Sequence, residues 1–263
     1  MNKPHVKTIL YKAIPGKNVD YKKAPPIEGS FDHFDIRLEK GEVVFKLKTH
    51  FPTVEKARAI TDNFINRWEI VTGLQQNPGD LRFIYASADI IDLEPDEFDG
   101  VTSNLNVTLS DVVLVSEAVT IQIGRGEYPS LPPDFAISPD LEVLYQRYKA
   151  FRENRESLTS MAYFCLTVLE HRFTRGRKRK EAANLYKIED KILDMIGQLS
   201  SRKGAVSDAR KYPESGSFSP MSSQERTWLD AAIKRLILRV GEHDFDPSAD
   251  LPIITMDDLP PLR

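Results

Sequence analysis

The feature that most constrains the fold is one apolar run, residues 157–173, with the sequence SLTSMAYFCLTVLEHRF. Read at helical spacing, the run is apolar on nearly every side. A helix of this kind needs neighbours on several sides, so the run predicts the central helix of a C-terminal bundle. Its apolar positions are Leu158, Met161, Ala162, Phe164, Cys165, Leu166, Val168, Leu169 and Phe173.

Three further helices are predicted around this central one. Ser138-Pro139 is a favourable helix start, and nothing in the following RENRES stops that helix from running into the central one. A third helix is predicted with an apolar face over residues 182–199. The last begins at a capping box, Ser222 with Glu225 three residues later. The pattern therefore predicts an all-α four-helix bundle.

The N-terminal half has a different pattern. Two strand-like runs flank the turn EKGE, and a helix with Thr53 as its N-cap follows. The later runs LRFIYASADIIDL, VTSNLNVTL and VVLVSEAVTIQI are rich in β-branched residues. This order predicts a mixed, mainly antiparallel sheet with one helix, and hence an α+β chain.

Proline marks the expected domain boundary. Residues 125–140 contain four prolines, which exclude regular hydrogen bonding and predict a linker. We therefore expect an α+β domain over residues 1–130 and a helical domain over residues 131–243. The acidic, proline-containing tail, residues 244–263, is expected to be disordered or to lie along a partner surface.

Composition limits the possible functions. A formal charge of −3 argues against a protein devoted to coating nucleic acid, although a local basic patch is compatible with it. One cysteine, Cys165, allows no intrachain disulfide and favours a reducing compartment. No apolar stretch approaches the roughly 18 residues of a membrane span, so a cytoplasmic protein is expected. The five histidines lack metal-ligand spacing, and neither a metal nor another cofactor is predicted.

Residues 138–243 resemble HEPN-type helical domains. The likeness lies in the helix pair LYQRYKAFRENRESLTSMAYFCLTVLEHRF, the basic connection after it, and a final helix ending in Arg and His. The resemblance implies a bundle that dimerises, a metal-independent ribonuclease in active members, and a role in bacterial defence. The family's catalytic arginine and histidine are separated by more residues than the three that separate Arg239 from His243 in RVGEH. That departure puts nuclease activity in question.

Arg239 and His243 are the predicted catalytic pair. Four residues apart, they would share one face of a continuous helix. The imidazole could act as general acid or base on a ribose hydroxyl, while the guanidinium held a phosphate. The alternative is that both only place positive charge at a helix C-terminus, and Gly241 could end the helix between them.

The densest basic cluster is the predicted nucleic-acid-binding site. Its cations could grip phosphates, or they could form a solvated connection between two helices. The cluster consists of Arg172, Arg175, Arg177, Lys178, Arg179 and Lys180.

Three functions follow from these patterns. The first is an RNA-binding protein or a metal-independent ribonuclease. The second is a non-enzymatic module for protein–protein interaction and dimerisation, and the third is a small-molecule sensor that uses the N-terminal sheet. RNA and a protein are thus the expected partners, and a homodimer is the expected assembly.

Overall fold

The structure, a computed structural model, describes residues 3–17, 19–94, 105–108, 126–173, 178–203 and 219–262 of the 263-residue chain, with the backbone alone at 105–108 and 202. The chain forms two compact units, Met1–Pro133 and Asp134–Arg263. The first is an antiparallel sheet with one helix and the second is helical, so the chain is α+β, as the sequence predicts.

Antiparallel pairing joins the six described strands of the first unit's sheet, in the order β2-β3-β4-β1-β5-β6. The first five strands form the body of the sheet, and the four-residue β6 extends it beside β5. The strands are β1 (Pro4–Pro15), β2 (Ile27–Ser30), β3 (Phe34–Glu39), β4 (Glu42–Leu47), β5 (Leu81–Asp92) and β6 (Leu105–Thr108).

One long helix, α1 (Val54–Gln75), packs on this sheet. The hydroxyl of Thr53 accepts a hydrogen bond from the Lys56 amide at 3.4 Å, which confirms the predicted N-cap. The side chain of Phe64 lies at the centre of an aromatic core. Its ring centroid lies between 4.9 and 6.1 Å from those of Phe31, Phe34, Phe45 and Trp68.

The predicted hairpin is confirmed as β3 and β4. Its turn places Lys40 and Gly41 at positive φ angles of 51° and 79°, a conformation that suits a tight two-residue hairpin. The run VVLVSEAVTIQI, which was also predicted to be a strand, lies outside the described residues.

The proline-rich segment is packed rather than free, although it was predicted to be a linker. In the first unit, the hydroxyl of Tyr128 accepts a hydrogen bond from the Gly41 amide at 2.8 Å. In the second unit, the buried ring of Phe135 packs on Gly241. Apolar side chains among the prolines therefore fasten each half of this segment to its own unit.

The second unit contains five α-helices and one short 3-10 helix in its described part, so the predicted four-helix bundle is not confirmed. The central position of α3 is confirmed, because this helix contacts each of the other four. The helices are α2 (Pro139–Arg152), α3 (Leu158–His171), α4 (Lys178–Leu185), α5 (Asp190–Arg202) and α6 (Ser223–Phe245).

Backbone conformation accounts for the extra helix. The single helix predicted over residues 182–199 is instead α4 and α5, separated by four residues. Lys187 has a positive φ of 51°, and Ile188 pairs in a parallel β-bridge with Ile254. Both features are incompatible with a continuous helix. Likewise α2 does not run into α3, since Asn154 has a φ of 58° and Ser157 caps a new helix.

The C-terminal tail was wrongly predicted to be disordered or to lie on a partner. Helix α6 extends through Asp244 and Phe245, and the residues after it pack on their own unit. The side chains of Ile254 and Leu259 are buried. Burial of these two apolar side chains and the backbone pairing at Ile254 therefore hold the segment on its unit, although its composition is acidic.

None of the described helices combines the length and the apolar character needed to cross a bilayer.

Candidate functional site

Helix α6 is continuous through Gly241, so Arg239 and His243 lie on one face. The glycine is required for packing: a Cβ atom at this position would lie 2.1 Å from Cε2 of Phe135. The Gly241 carbonyl also accepts a hydrogen bond from the Ala136 amide at 3.0 Å. The glycine therefore seats a neighbouring segment against the helix instead of ending it.

The guanidinium of Arg239 is fully buried, with 0% of the residue exposed. Its Nη1 donates to the carbonyls of Tyr186 and Lys187, at 2.9 and 3.0 Å. Its Nη2 donates to the Pro252 carbonyl at 2.8 Å, and its Nε donates to Glu242 at 2.7 Å. One side chain thus satisfies the carbonyls that follow α4 and fastens the tail to α6.

Glu242 is the counter-ion of this arginine. Its two carboxylate oxygens accept from Arg239 and, at 2.6 Å, from Nη1 of Arg235. Burial alone would raise the pKa of Glu242, but the hydrogen bonds from the two arginines lower it below its usual range. The carboxylate therefore stays charged and balances the buried guanidinium.

His243 is 8% exposed and lies one turn further along α6. Its ring packs edge-on against Tyr186, with centroids 5.0 Å apart, and its Nδ1 lies 3.3 Å from Oδ1 of Asp244. The second oxygen, Oδ2 of Asp244, is buried and has no hydrogen-bond partner among the described residues. Burial raises the pKa of Tyr186 to about 12, so this hydroxyl stays protonated at neutral pH.

Arg172, predicted to bind phosphate, is instead held by carboxylates. Its Nη2 lies 3.2 Å from Oδ2 of Asp140 and 3.5 Å from Oδ1 of Asp244. Its guanidinium also lies 5.8 Å from the ring centre of Tyr186. These contacts join the beginning of α2 to the ends of α3 and α6. Two carboxylates around one guanidinium oppose the binding of an anion there.

The other predicted phosphate-binding cations divide into three groups. Arg179 forms ion pairs with Glu170 and Asp194, at 2.8 and 3.0 Å. Lys178 and Lys180 are exposed and make no ion pair with any described residue. Arg175 and Arg177 lie outside the described residues. Of the four described cations, two are bound to carboxylates and two have no carboxylate partner among the described residues.

Two other side chains with reactive groups, Cys165 and Tyr11, are buried. Burial raises the pKa of the Cys165 thiol to about 12, which removes its nucleophilic thiolate at neutral pH. In the first unit, the hydroxyl of Tyr11 lies 2.7 Å from Oγ1 of Thr61 and donates to Asp62 at 2.6 Å. Within the described ranges, no three histidine, cysteine or carboxylate side chains come together as a metal site.

The sequence analysis named Arg239 and His243 as candidates but did not name the groups that contact them. Tyr186 and Asp244 touch His243, and the Pro252 carbonyl accepts from Arg239. An acidic residue directly after the histidine was the available signal for Asp244. A backbone carbonyl has no sequence signal at all. The arrangement can hold chain segments together, and it presents no open guanidinium to a phosphate.

Comparison with known proteins gives no match to a family model, to a curated protein or to a solved structure. The resemblance to HEPN domains therefore stays a prediction.

Proposed function

We propose that the protein is a non-enzymatic interaction protein that self-associates through its helical unit. The observation that carries the proposal is the complete burial of Arg239, whose hydrogen bonds all go to the protein's own groups. A catalytic guanidinium must reach the reacting phosphate, and this one does not reach the surface. The HEPN resemblance, its implied dimer and a cytoplasmic location belong to the same proposal.

Four exposed apolar side chains supply the proposed contact surface, which we name the apolar rim. They are between 37% and 61% exposed: Val143, Leu185, Phe245 and Ile253. A single exposed apolar side chain is ordinary on a protein surface, whereas several at one end of a domain favour an interface.

Polar contacts join the chain segments that contain the rim residues. Arg172 joins Asp140, three residues before Val143, to Asp244, which precedes Phe245. Arg239 in turn joins the carbonyl of Tyr186 to that of Pro252. These two groups directly neighbour the other rim residues, Leu185 and Ile253.

A second copy of the chain is the partner that this surface fits. Two carboxylates close to rim residues in the sequence, Asp140 and Asp244, bind one cation, Arg172. A two-fold axis brings each copy of a surface against itself, so that an arginine can meet a carboxylate of the other copy. Apolar side chains around such a pair exclude water from it and provide the driving force.

Sedimentation velocity over a concentration series tests this proposal. The wild type is expected to form dimers, and a Val143→Ser, Phe245→Ser double variant is expected to weaken dimerisation by tenfold or more, about 1.4 kcal/mol. The matched control is Val44→Ser with Ile84→Ser, since these exposed apolar side chains belong to the first unit. A wild type that stays monomeric, or a control that weakens association equally, contradicts the proposal.

RNA binding is the second candidate function. It is favoured by one observation, the exposed ammonium groups of Lys178 and Lys180, which pair with no described carboxylate. Binding of labelled RNA that falls steeply with salt, and that is lost in Lys178→Ala, Lys180→Ala, would support it. Metal-independent cleavage of that RNA, lost in His243→Ala, would overturn the non-enzymatic proposal.

A further inference from the structure

The residues after α6 divide into an exposed connection and an anchored segment. Residues 246–251 make local turns: the Ser248 amide and hydroxyl donate to Asp246, and the Leu251 amide donates to the Ala249 carbonyl. No side chain in this connection is buried. Residues 252–259, which we name the anchor segment, contain both buried side chains of the tail, Ile254 and Leu259.

Main-chain hydrogen bonds hold the first half of the anchor segment, residues 252–255, in an extended conformation, and a short 3-10 helix, Met256–Asp258, follows it. The Ile254 amide donates to the Lys187 carbonyl, and the Glu189 amide donates to the Ile254 carbonyl, both at 2.9 Å. The Met256 amide donates to Oε2 of Glu189, also at 2.9 Å. This is the pattern by which proteins capture an extended peptide: backbone pairing gives affinity, and a buried side chain gives selectivity.

Arg239 makes an empty site unfavourable. If the anchor segment left, Nη2 would lose the Pro252 carbonyl while Nη1 and Nε kept their partners. A buried donor without an acceptor is unfavourable, because it gives up hydrogen bonds to water and gains none in return. The helical unit therefore favours having an extended segment with a carbonyl at this position, from whichever chain it comes.

The exposed connection permits that exchange. Six residues can span up to about 20 Å when extended, which is enough to lead a segment away from its own helix end. Among the described residues, two contacts join the connection to groups outside the tail: the Asp246 amide donates to the Glu242 carbonyl at 3.4 Å, and the almost fully exposed Asp250 lies 3.9 Å from Lys187 in an ion pair. The anchor segment of a second copy would make the same contacts as the chain's own, and such exchange is an inexpensive route to a dimer.

We infer that the groove formed by Ile188, Glu189 and Arg239 is a docking site for an extended segment, and that in the associated protein the anchor segment of a second copy fills it. This inference rests on the proposed self-association and gives it a mechanism.

A synthetic peptide of residues 246–262, added to the full-length protein, tests the inference. In sedimentation velocity, excess peptide is expected to convert the dimer to monomer. In the full chain, Ile254→Asp is expected to abolish dimerisation and to leave a groove that binds the labelled peptide. The control peptide carries Ile254→Asp and should bind at least about tenfold more weakly.

A thermal melt shows whether the Ile254→Asp chain is folded, and Ile254→Ala replaces it if it is not. A dimer that excess peptide leaves intact overturns the exchange, as does a folded Ile254 variant that dimerises like the wild type. If that persistent dimer is broken by Val143→Ser with Phe245→Ser, the proposed function survives without exchange. A wild-type protein that stays monomeric contradicts both the proposed self-association and the exchange of the anchor segment.

Discussion

The two units are stabilised in different ways. In the first, Phe64 contacts four other aromatic rings, so that its core depends on many apolar contacts of similar kind. In the second, an apolar core around α3 is completed by one buried cation, Arg239, which bonds to α6, to the residues after α4 and to the tail. A core with many similar contacts tolerates the loss of one of them, whereas a core that contains a buried charge does not tolerate the loss of that charge's partner.

The comparison also explains why a residue that resembles a catalytic group has a structural role. The same five donors that suit arginine to phosphate suit it to a set of carbonyl groups. Burial decides between the two roles. The following four predictions probe this difference, and the tryptophans allow each unit to be observed separately, since Trp68 lies in the first and Trp228 in the second.

The largest effect is expected for Arg239→Ala. The change removes a donor from three carbonyls, one of which keeps a backbone amide as its second donor. It also removes one of the two arginines that bind Glu242, so unfolding of the second unit should become easier by about 3–5 kcal/mol. In a Trp68→Phe background, the fluorescence of Trp228 during denaturant unfolding measures this change in the free energy of unfolding. The control Arg235→Ala also touches Glu242 but no carbonyl, and it should cost far less. Equal losses for both would contradict the structural role.

A smaller loss is expected for Gly241→Ala. The added methyl group would overlap the ring of Phe135, and overpacking of a filled site costs about 1–3 kcal/mol. Combining it with Phe135→Leu, which makes room, should recover part of the loss in the same fluorescence experiment. If Gly241→Ala leaves the unfolding midpoint unchanged, Phe135 does not pack there.

In the first unit, Tyr11→Phe should cost about 1 kcal/mol, because it removes a hydroxyl that bonds to Thr61 and Asp62 but leaves the ring packing in place. A Trp228→Phe background allows Trp68 to report the unfolding of this unit. Tyr85→Phe is the control, since this ring lies beside Tyr11 and no hydrogen bond to a described residue depends on its hydroxyl. Equal losses would show that the hydrogen bonds contribute nothing.

The smallest effect is expected from acid. The folded-state pKa of Glu242 lies below its ordinary value of 4.5 because two arginines hold the carboxylate. Its contribution is therefore complete above the ordinary pKa and is lost as the pH falls through the lower, folded value. Unfolding of the second unit measured between neutral pH and pH values below 4.5 should show this loss, and Glu242→Gln should reduce it. If Glu242→Gln leaves the pH dependence of unfolding unchanged, the loss of stability in acid comes from other carboxylates.

Local patterns in the sequence predicted the elements that depend on local chemistry. Thr53 and Ser222 were identified as caps, and the apolar run of α3 identified the central helix. The break at Lys187 and the packing of the tail were not predictable. Both depend on the pairing of Ile188 with Ile254, which are far apart in the sequence. Single apolar residues in an acidic segment give no periodic signal.

For the candidate site, the sequence identified the residue types but not their environment. The spacing of Arg239 and His243 correctly placed both on one face of a helix. Whether such a face is open or covered depends on the segments that pack on it. Here the cover comes from the residues after α4 and from the tail, and only the fold brings them together.

Amide hydrogen exchange in Arg239→Lys tests the central claim most directly, because lysine keeps the charge but lacks the guanidinium's fork of donors. We predict that the amides of Glu189 and Ile254 exchange at least about tenfold faster than in the wild type, while the amides of β1 keep their protection. Unchanged protection at Glu189 and Ile254 would show that Arg239 does not fasten the tail, and would contradict the account.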